Sequence, residues 1–561
     1  MSRFVLEPEF SADEVFAGLG EIFALAPAGN TRERLTYLDT FDWRLFAAGL
    51  TLAASPRGKK VRLLLTGGDG DSWETRASQT PLFAADLPPD PFRAVLEKAC
   101  SIRRLLPRAH ARWHDDRFAL LNEDQKTVLR LRLRRGHATL PGSREKAPMP
   151  LQLHLESLKG YESEFRKAES LVRRTLRLKP QEGNDLALVL GALGRAPGDY
   201  SSSFRLDLEP EQKAGEALRA VHRCLLDAML ANQEGMIQDL DPEFLHDFRV
   251  AVRRARSALA QVPGVFPEEV ALHFAREFSW LGERTGLTRD MDVYLLKIPS
   301  YQRSLPEGVR EELQPLVPFL SLKKRAAHRR MVRSLGTERY ARFAEEWGAY
   351  LRTPVESDSG LPHAHRPIAV VARERIWTVY RKVLKRGRKT DRKTSPETMH
   401  RLRIDCKKLR YLMTFFQSLF PSGALKPLIK ELKNLQDNLG DFNDLYVQRA
   451  ALLGFAAEMM ASGRGPPGTL MAMGQLMGQL ESRQAAEAEA FHARFQKFAR
   501  QKNQDRFRKL FGPEGEEEMA PPAPEALPSS DSTPAAPDGL EGHSASAPQG
   551  PPSPPAGKDG P

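Results

Sequence analysis

Only three cysteines occur in 561 residues, and Cys100, Cys224 and Cys406 lie far apart in the chain. That scarcity excludes a disulfide framework and a cysteine-based zinc site, and it fits a reducing cytoplasm. Long apolar runs are missing too. Residues 186–193 (LALVLGAL) fall far short of the ~20 residues a membrane helix needs, so no membrane partner is expected. Residues 1–10 lack the basic stretch and apolar core of a secretory signal. No phosphate-binding glycine loop, Ser/His/Asp set or cluster of metal ligands is evident, so no cofactor is expected.

What the chain has in excess is charge, unevenly spread. Lys and Arg number 84 against 72 Asp and Glu, a net of +12. Residues 513–561 hold 13 prolines, nine acidic residues and one Lys, with almost no large apolar side chains. Such a segment cannot offset its ordering entropy, so 512–561 is expected to be a disordered, acidic, Pro-rich tail. Residues 1–200 carry a net of +5 and residues 201–512 a net of +15, so the body carries +20. A body of that sign predicts an anionic partner.

Residues 1–200 read as an α+β domain. Residues 128–135 (VLRLRLRR) and 151–156 (LQLHLE) alternate apolar and polar, and 60–66 is a third strand, followed by a glycine turn at 67–70. Helical pieces fall near 11–26, 90–100 and 162–174. Several strands with one polar face predict an antiparallel curved sheet, a barrel or tunnel. Residues 201–511 read as all-helical, with breaks at 263–264, 299–306, 354–367, 421–423 and 463–468.

The helical region contains a repeat. His246, Arg249, Arg253, Arg254 and Arg256 recur 154 residues later as His400, Arg403, Lys407, Lys408 and Arg410. Downstream, Leu281, Gly286, Asp290 and Val293 recur as Leu435, Gly440, Asp444 and Val447 at the same offset. One offset for two separate motifs implies a duplicated helical unit. At about 100° per residue, the histidine and the basic residues at +3, +7 and +10 fall within about 80° of one another. Each copy therefore presents a basic stripe whose self-repulsion is relieved by an opposing polyanion or by carboxylates such as Asp290 and Asp444. Runs at 323–325, 329–330 and 385–388 extend the positive surface.

These segments, HDFRVAVRRARSAL with LGERTGLTRDMDVYL and HRLRIDCKKLRYLMTFF with LKNLQDNLGDFNDLYV, resemble the paired signatures of the CHAD family, the conserved-histidine α-helical domain. The resemblance implies two pseudo-symmetric bundles of long helices around a basic groove or pore that binds inorganic polyphosphate. It further implies association with polyphosphate granules and their proteins in a bacterial cytoplasm. By position, the ligand-facing residues are the ten just named, with Tyr411 as a neighbour. The arginines and lysines would pair with phosphates, and the histidines would add hydrogen bonds or a pH-dependent charge.

Residues 37–52 (YLDTFDWRLFAAGLTL) and the later strands are similar to the CYTH family, a triphosphate tunnel fold that often precedes such helical domains. Working members of that family open on Glu-x-Glu-x-Lys, whose carboxylates hold a divalent metal on one face of a strand. Here Glu7 and Glu9 have Ser11 in place of the lysine, Pro8 intervenes, and 53–55 is Ala-Ala-Ser where a basic pair is usual. The resemblance is therefore to a degenerate, noncatalytic tunnel, with Lys59, Lys60, Arg62, Arg76, Arg130, Arg132 and Arg134 available to line it. An alternative function is a metal-dependent triphosphatase using Glu7, Glu9 and Glu156. A further alternative, nucleic-acid binding on the basic surface, is disfavoured because aromatics are 8% of the chain and none interleave with the stripes.

Overall fold

The computed structural model describes residues 2–6, 12–68, 70–181, 183–355, 360–390 and 395–513. Glu7, Glu9 and residues 514–561 of the expected tail lie outside the described residues.

Among the described residues, ten strands form one antiparallel sheet: β1 (Ser2–Leu6), β2 (Ala24–Asp39), β3 (Leu50–Arg57), β4 (Lys60–Gly67), β5 (Ser72–Ala77), β6 (Leu106–Leu121), β7 (Thr127–Thr139), β8 (Ala147–Pro148), β9 (Leu151–Ser157) and β10 (Lys179–Pro180). The order is β10-β1-β9-β7-β6-β2-β3-β4-β5, with β8 on β7. The three strands read from the sequence lie in β7, β9 and β4. The first helix is shorter than expected: α1 (Ala12–Gly20) gives way to β2 at Ala24.

Alternation sets the two faces. On β7, Leu129, Leu131 and Leu133 are buried with Phe4, Leu153 and Val15 of α1, and with Ala168 of α4 (Glu162–Ser170). The intervening arginines point to the other face. There Arg57, Arg62, Arg117, Arg132 and Arg134 line one cavity of about 540 Å³. Its walls come from β4 and β7, which are separated by three strands, so the sheet curls. Strand pairing stays an open path from β10 to β5 and does not close a barrel among the described residues. The remaining helices here are α2 (Arg44–Ala47), α3 (Pro91–Cys100) and α5 (Asp185–Ala192).

The helical region comprises α6 (Ala214–Ile237), α7 (Pro242–Gln261), α8 (Glu268–Ser304), α9 (Leu316–Leu335) and α10 (Glu338–Arg352), then α11 (Ile368–Arg388), α12 (Pro396–Phe415), α13 (Ser422–Ala461), α14 (Pro467–Phe498) and α15 (Gln501–Phe511). The repeat is visible as length: α7 and α12 have 20 residues each, and α8 and α13 have 37 and 40. Pro299 does not break α8, which runs on to Ser304, and α13 runs through Pro427. The halves share one core. Phe248 and Val252 of α7 belong to the same apolar cluster as Leu402 and Leu409 of α12 and Phe498 and Phe507 at the end. A second cluster joins the far ends of α8 and α13 through Tyr294, Ile298, Leu452 and Phe455.

Candidate functional site

Helix α7 begins where its sequence says it should. Asp241 accepts hydrogen bonds from the backbone N–H groups of Glu243 (2.8 Å) and Phe244 (3.3 Å), and Pro242 occupies the first turn. Phe244, Phe248, Val252, Ala255 and Leu259 bury one face. The basic stripe is thereby turned outward. Helix α12 starts in the same way after Ser395, with Leu402, Cys406 and Leu409 buried. A close approach fixes α7 against α6: a Cβ on Gly235 would lie 2.3 Å from the Phe244 ring.

The two stripes meet. His246, Arg249 and Arg253 of α7, Arg289, Asp290, Tyr294 and Lys297 of α8, Arg403 of α12 and Asp444 of α13 line one cleft of about 320 Å³. Both repeats contribute cations and a carboxylate. Arg403 donates to Asp444 at 3.0 Å, whereas Arg249 donates to the Gly282 carbonyl (2.6 Å) and the Thr285 hydroxyl (2.7 Å). Arg289 donates to the Pro242 carbonyl at 3.0 Å and approaches Glu243 at 3.9 Å.

Crowding of like charge shows in the protonation equilibria. Burial, then Arg403 and Arg253, push the Lys407 ammonium down to about 8, with Asp444 opposing. Arg253 and Lys407, equivalent residues of the two repeats, therefore feel each other's charge. Burial, then Arg289 and Arg253, push His246 down to about 4 against the pull of Glu243. The imidazole is neutral at pH 7, so the free protein leaves it the hydrogen-bonding role rather than the charge.

Other residues of the sequence-derived set lie elsewhere. Arg254 turns toward Phe204, its guanidinium 6.0 Å from the ring, and it senses Tyr411 and Arg410. The reason is angular: position +8 falls outside the arc shared by 0, +3, +7 and +10. Arg256 is exposed and reaches the Ser279 hydroxyl at 3.4 Å. His400 is exposed and bonded to the Asn443 side chain at 2.6 Å. Lys407, Lys408, Arg410 and Tyr411 are half-buried on α12 and do not line the cleft, although Lys407 lies close enough to sense Arg403, Arg253 and Asp444. Arg289 and Lys297 fall outside the sequence-derived set. Their repeat equivalents are Asn443 and Ala451, so a search for matched positions passes over both.

In the sheet, Arg134 is held by three carboxylates: Asp115 (2.8 Å), Glu33 (3.3 Å) and Asp185 (3.3 Å). Asp185 opens α5, whose N-cap Asn184 donates to the Thr51 hydroxyl at 2.7 Å, and it also pairs with Arg3 at 3.2 Å. Arg62 is paired with Glu74 at 2.8 Å and Arg130 with Glu156 at 3.7 Å. Lys59 and Lys60 are exposed at the β3–β4 turn.

A family model for the CHAD domain matches residues 220–453. Two uncharacterized proteins from two strains of Mycobacterium tuberculosis are each 26% identical over 277 residues, 48% of this chain and 50% of theirs. The chain thus spans about half the length of the curated relatives it matches. The CHAD domain from the plant Ricinus communis is 27% identical with a TM-score of 0.44, covering 52% of this chain and 96% of that one. PptA from Streptomyces chartreusis is 17% identical with a TM-score of 0.39, covering 52% and 100%. Residues 220–453, which hold both copies of the repeat and every residue lining the cleft, are a CHAD domain.

Proposed function

We propose that the helical region binds inorganic polyphosphate in the cleft between its two repeats. The observation that carries this reading is the lining itself: five cations, Arg249, Arg253, Arg289, Lys297 and Arg403, face two carboxylates, Asp290 and Asp444. The surplus calls for a polyanion, and guanidinium groups pair well with phosphate oxygens. Among the described lining residues Tyr294 is the sole Phe, Tyr or Trp and His246 the sole imidazole, so a nucleic acid would find no run of stacking surfaces for its bases. A phosphate chain needs none. Attachment to polyphosphate granules would follow from the same contacts, and no described helix is long and apolar enough to cross a membrane.

A metal-dependent triphosphatase in the sheet has less support. The concave face of β1 offers Arg3 rather than carboxylates, and Glu156 is engaged by Arg130. The sheet's arginines are also largely neutralised from within, Arg134 above all.

Titration of labelled polyphosphate at several salt concentrations tests the proposal. Binding is expected to weaken steeply with salt as counterions are released. Replacing Arg249, Arg253, Arg403 and Lys407 together by Glu is expected to abolish it. Unchanged affinity in that variant would refute the reading.

A further inference from the structure

The first turn of α7 is gripped from the sheet side by a chain of alternating charges. Arg103, from the loop after α3, is fully buried and pairs with Asp42 (3.5 Å), Asp241 (3.2 Å) and Asp247. The Arg104 N–H donates to Asp241 at 3.0 Å. Arg44 of α2 pairs with Asp42 at 2.9 Å. Its other arm reaches Glu243, the second residue of α7, at 3.4 Å.

Glu243 is the pivotal member. Its Oε2 faces Arg44, outside the cleft, and its Oε1 faces Arg289, inside the cleft, at 3.9 Å. One carboxylate is thus divided between a guanidinium of the sheet region and a guanidinium that lines the cleft beside His246. The side chains of Arg44, Glu243 and Arg289 are 27%, 19% and 16% exposed, so water screens these contacts only partly. Whatever share of Glu243 Arg289 holds is charge withheld from an anion in the cleft. Whatever share Arg44 holds is charge returned to it.

We propose that Arg44 and Glu243 are positioning residues through which the sheet region sets the affinity of the cleft for a phosphate group at Arg289. The proposal rests on the reading of the cleft as a polyphosphate site. When a phosphate oxygen takes the place of Glu243 Oε1 at Arg289, the carboxylate keeps a partner in Arg44 and is not left buried and unpaired. Arg44 therefore lowers the cost of releasing Arg289 to the ligand. The sheet acts on the helical site without touching the ligand.

A double-mutant cycle in the full chain tests this, with polyphosphate as the probe and affinity read across a salt series. Glu243→Gln removes the carboxylate charge beside Arg289, which keeps its bond to the Pro242 carbonyl, and is expected to tighten binding about fivefold, an exchange of the order of one partly buried ion pair. It should also steepen the log–log salt dependence by about one charge. Arg44→Met leaves Glu243 to Arg289 alone and is expected to weaken binding about threefold. Arg44→Lys should retain wild-type affinity. In the Glu243→Gln background, Arg44→Met should have no effect, because there is no carboxylate left to divide. Both variants keep Arg103, Asp241 and Asp247, and matching urea midpoints would show the α7 anchor intact. If the wild-type chain binds polyphosphate but Glu243→Gln changes neither affinity nor salt slope, the inference falls and the cleft reading stands. The inference alone falls as well if Arg44→Met weakens binding equally in both backgrounds. If the wild-type chain binds no polyphosphate at low salt, both fall together.

Discussion

Arg249 and Arg403 occupy equivalent positions of the two repeats yet make different bonds. Arg403 is paired with Asp444 at 3.0 Å, while Arg249 is tied to the Gly282 carbonyl and the Thr285 hydroxyl of α8. Arg403 thus balances a carboxylate that is half exposed, and Arg249 braces α7 against α8. Arg249→Met is expected to cost about 1–3 kcal/mol of folding stability through its lost charged hydrogen bonds. Arg403→Met is expected to cost less than about 1 kcal/mol. Urea denaturation distinguishes them, and both should weaken polyphosphate binding. Asp444→Asn, which releases Arg403, should strengthen it.

Lys407 should give the protein two opposite pH responses. Its ordinary value of 10.5 falls to about 8 in the folded chain because of burial and its Arg403 and Arg253 neighbours. Between those values the unfolded chain holds the proton and the folded chain does not, so stability rises with pH in that window. Below about 8 both states are charged and the contribution is flat. Polyphosphate prefers the charged ammonium, so affinity should decline as pH rises through that value. Lys407→Met should remove this component of both trends, read by urea midpoints and by ligand titration from about pH 7 to 10.

Arg103 should be the most costly single loss at the junction of sheet and helices. Its removal leaves the Asp247 carboxylate without its ion-pair partner and takes a cation from Asp42 and Asp241, and Arg103→Met is expected to destabilise the chain by about 3–5 kcal/mol. Adding Asp247→Asn should recover part of that, because burial already holds the Asp247 carboxyl up at about 6. Chemical denaturation of the single and double variants measures the recovery.

Gly235→Ala places a methyl group into the Phe244 ring and is expected to shift the first turn of α7 at a cost of about 1–3 kcal/mol. The cleft residues that follow, His246 and Arg249, should move with it. Polyphosphate affinity should fall in this variant although no charge has changed, and the titration checks that directly.

The sequence exposes the part of the site that is periodic. His246, Arg249, Arg253 and Arg403 follow from helical spacing and from one offset of 154 residues. Arg254 and Lys408 belong to the same motif, but their angle carries them off the cleft. Arg289 and Lys297 stay hidden because the second repeat replaces them, so nothing in the pattern marks them. In the sheet, β7 and β9 alternate cleanly and are legible. β2 and β6 are not: the register of β2 against β6 shifts between Pro27 and Asn30, and the concave face of β6 sets Asp115 and Arg117 after the buried Trp113. Charge buried by its own counterions does not look like a strand face. The alternating charges that join Arg44 and Arg103 to α7 come from residues some 140 to 200 positions apart, a distance at which no local pattern operates.

The shared core also decides where this chain can be cut. The matched segment ends at residue 453, but Phe491, Phe495, Phe498, Phe507 and Phe511 lie beyond it in the same apolar cluster as α7 and α12. Phe507 stacks on Tyr380 at 3.8 Å, and Phe495 fills the notch left by Gly387. A fragment trimmed to 220–453 would bare that aromatic surface to water and should aggregate. A fragment of 201–511 keeps the aromatics but leaves Asp241 and Asp247 without Arg103. The two regions are therefore coupled across the junction, and a 201–511 fragment is expected to unfold at a lower urea concentration than the full chain.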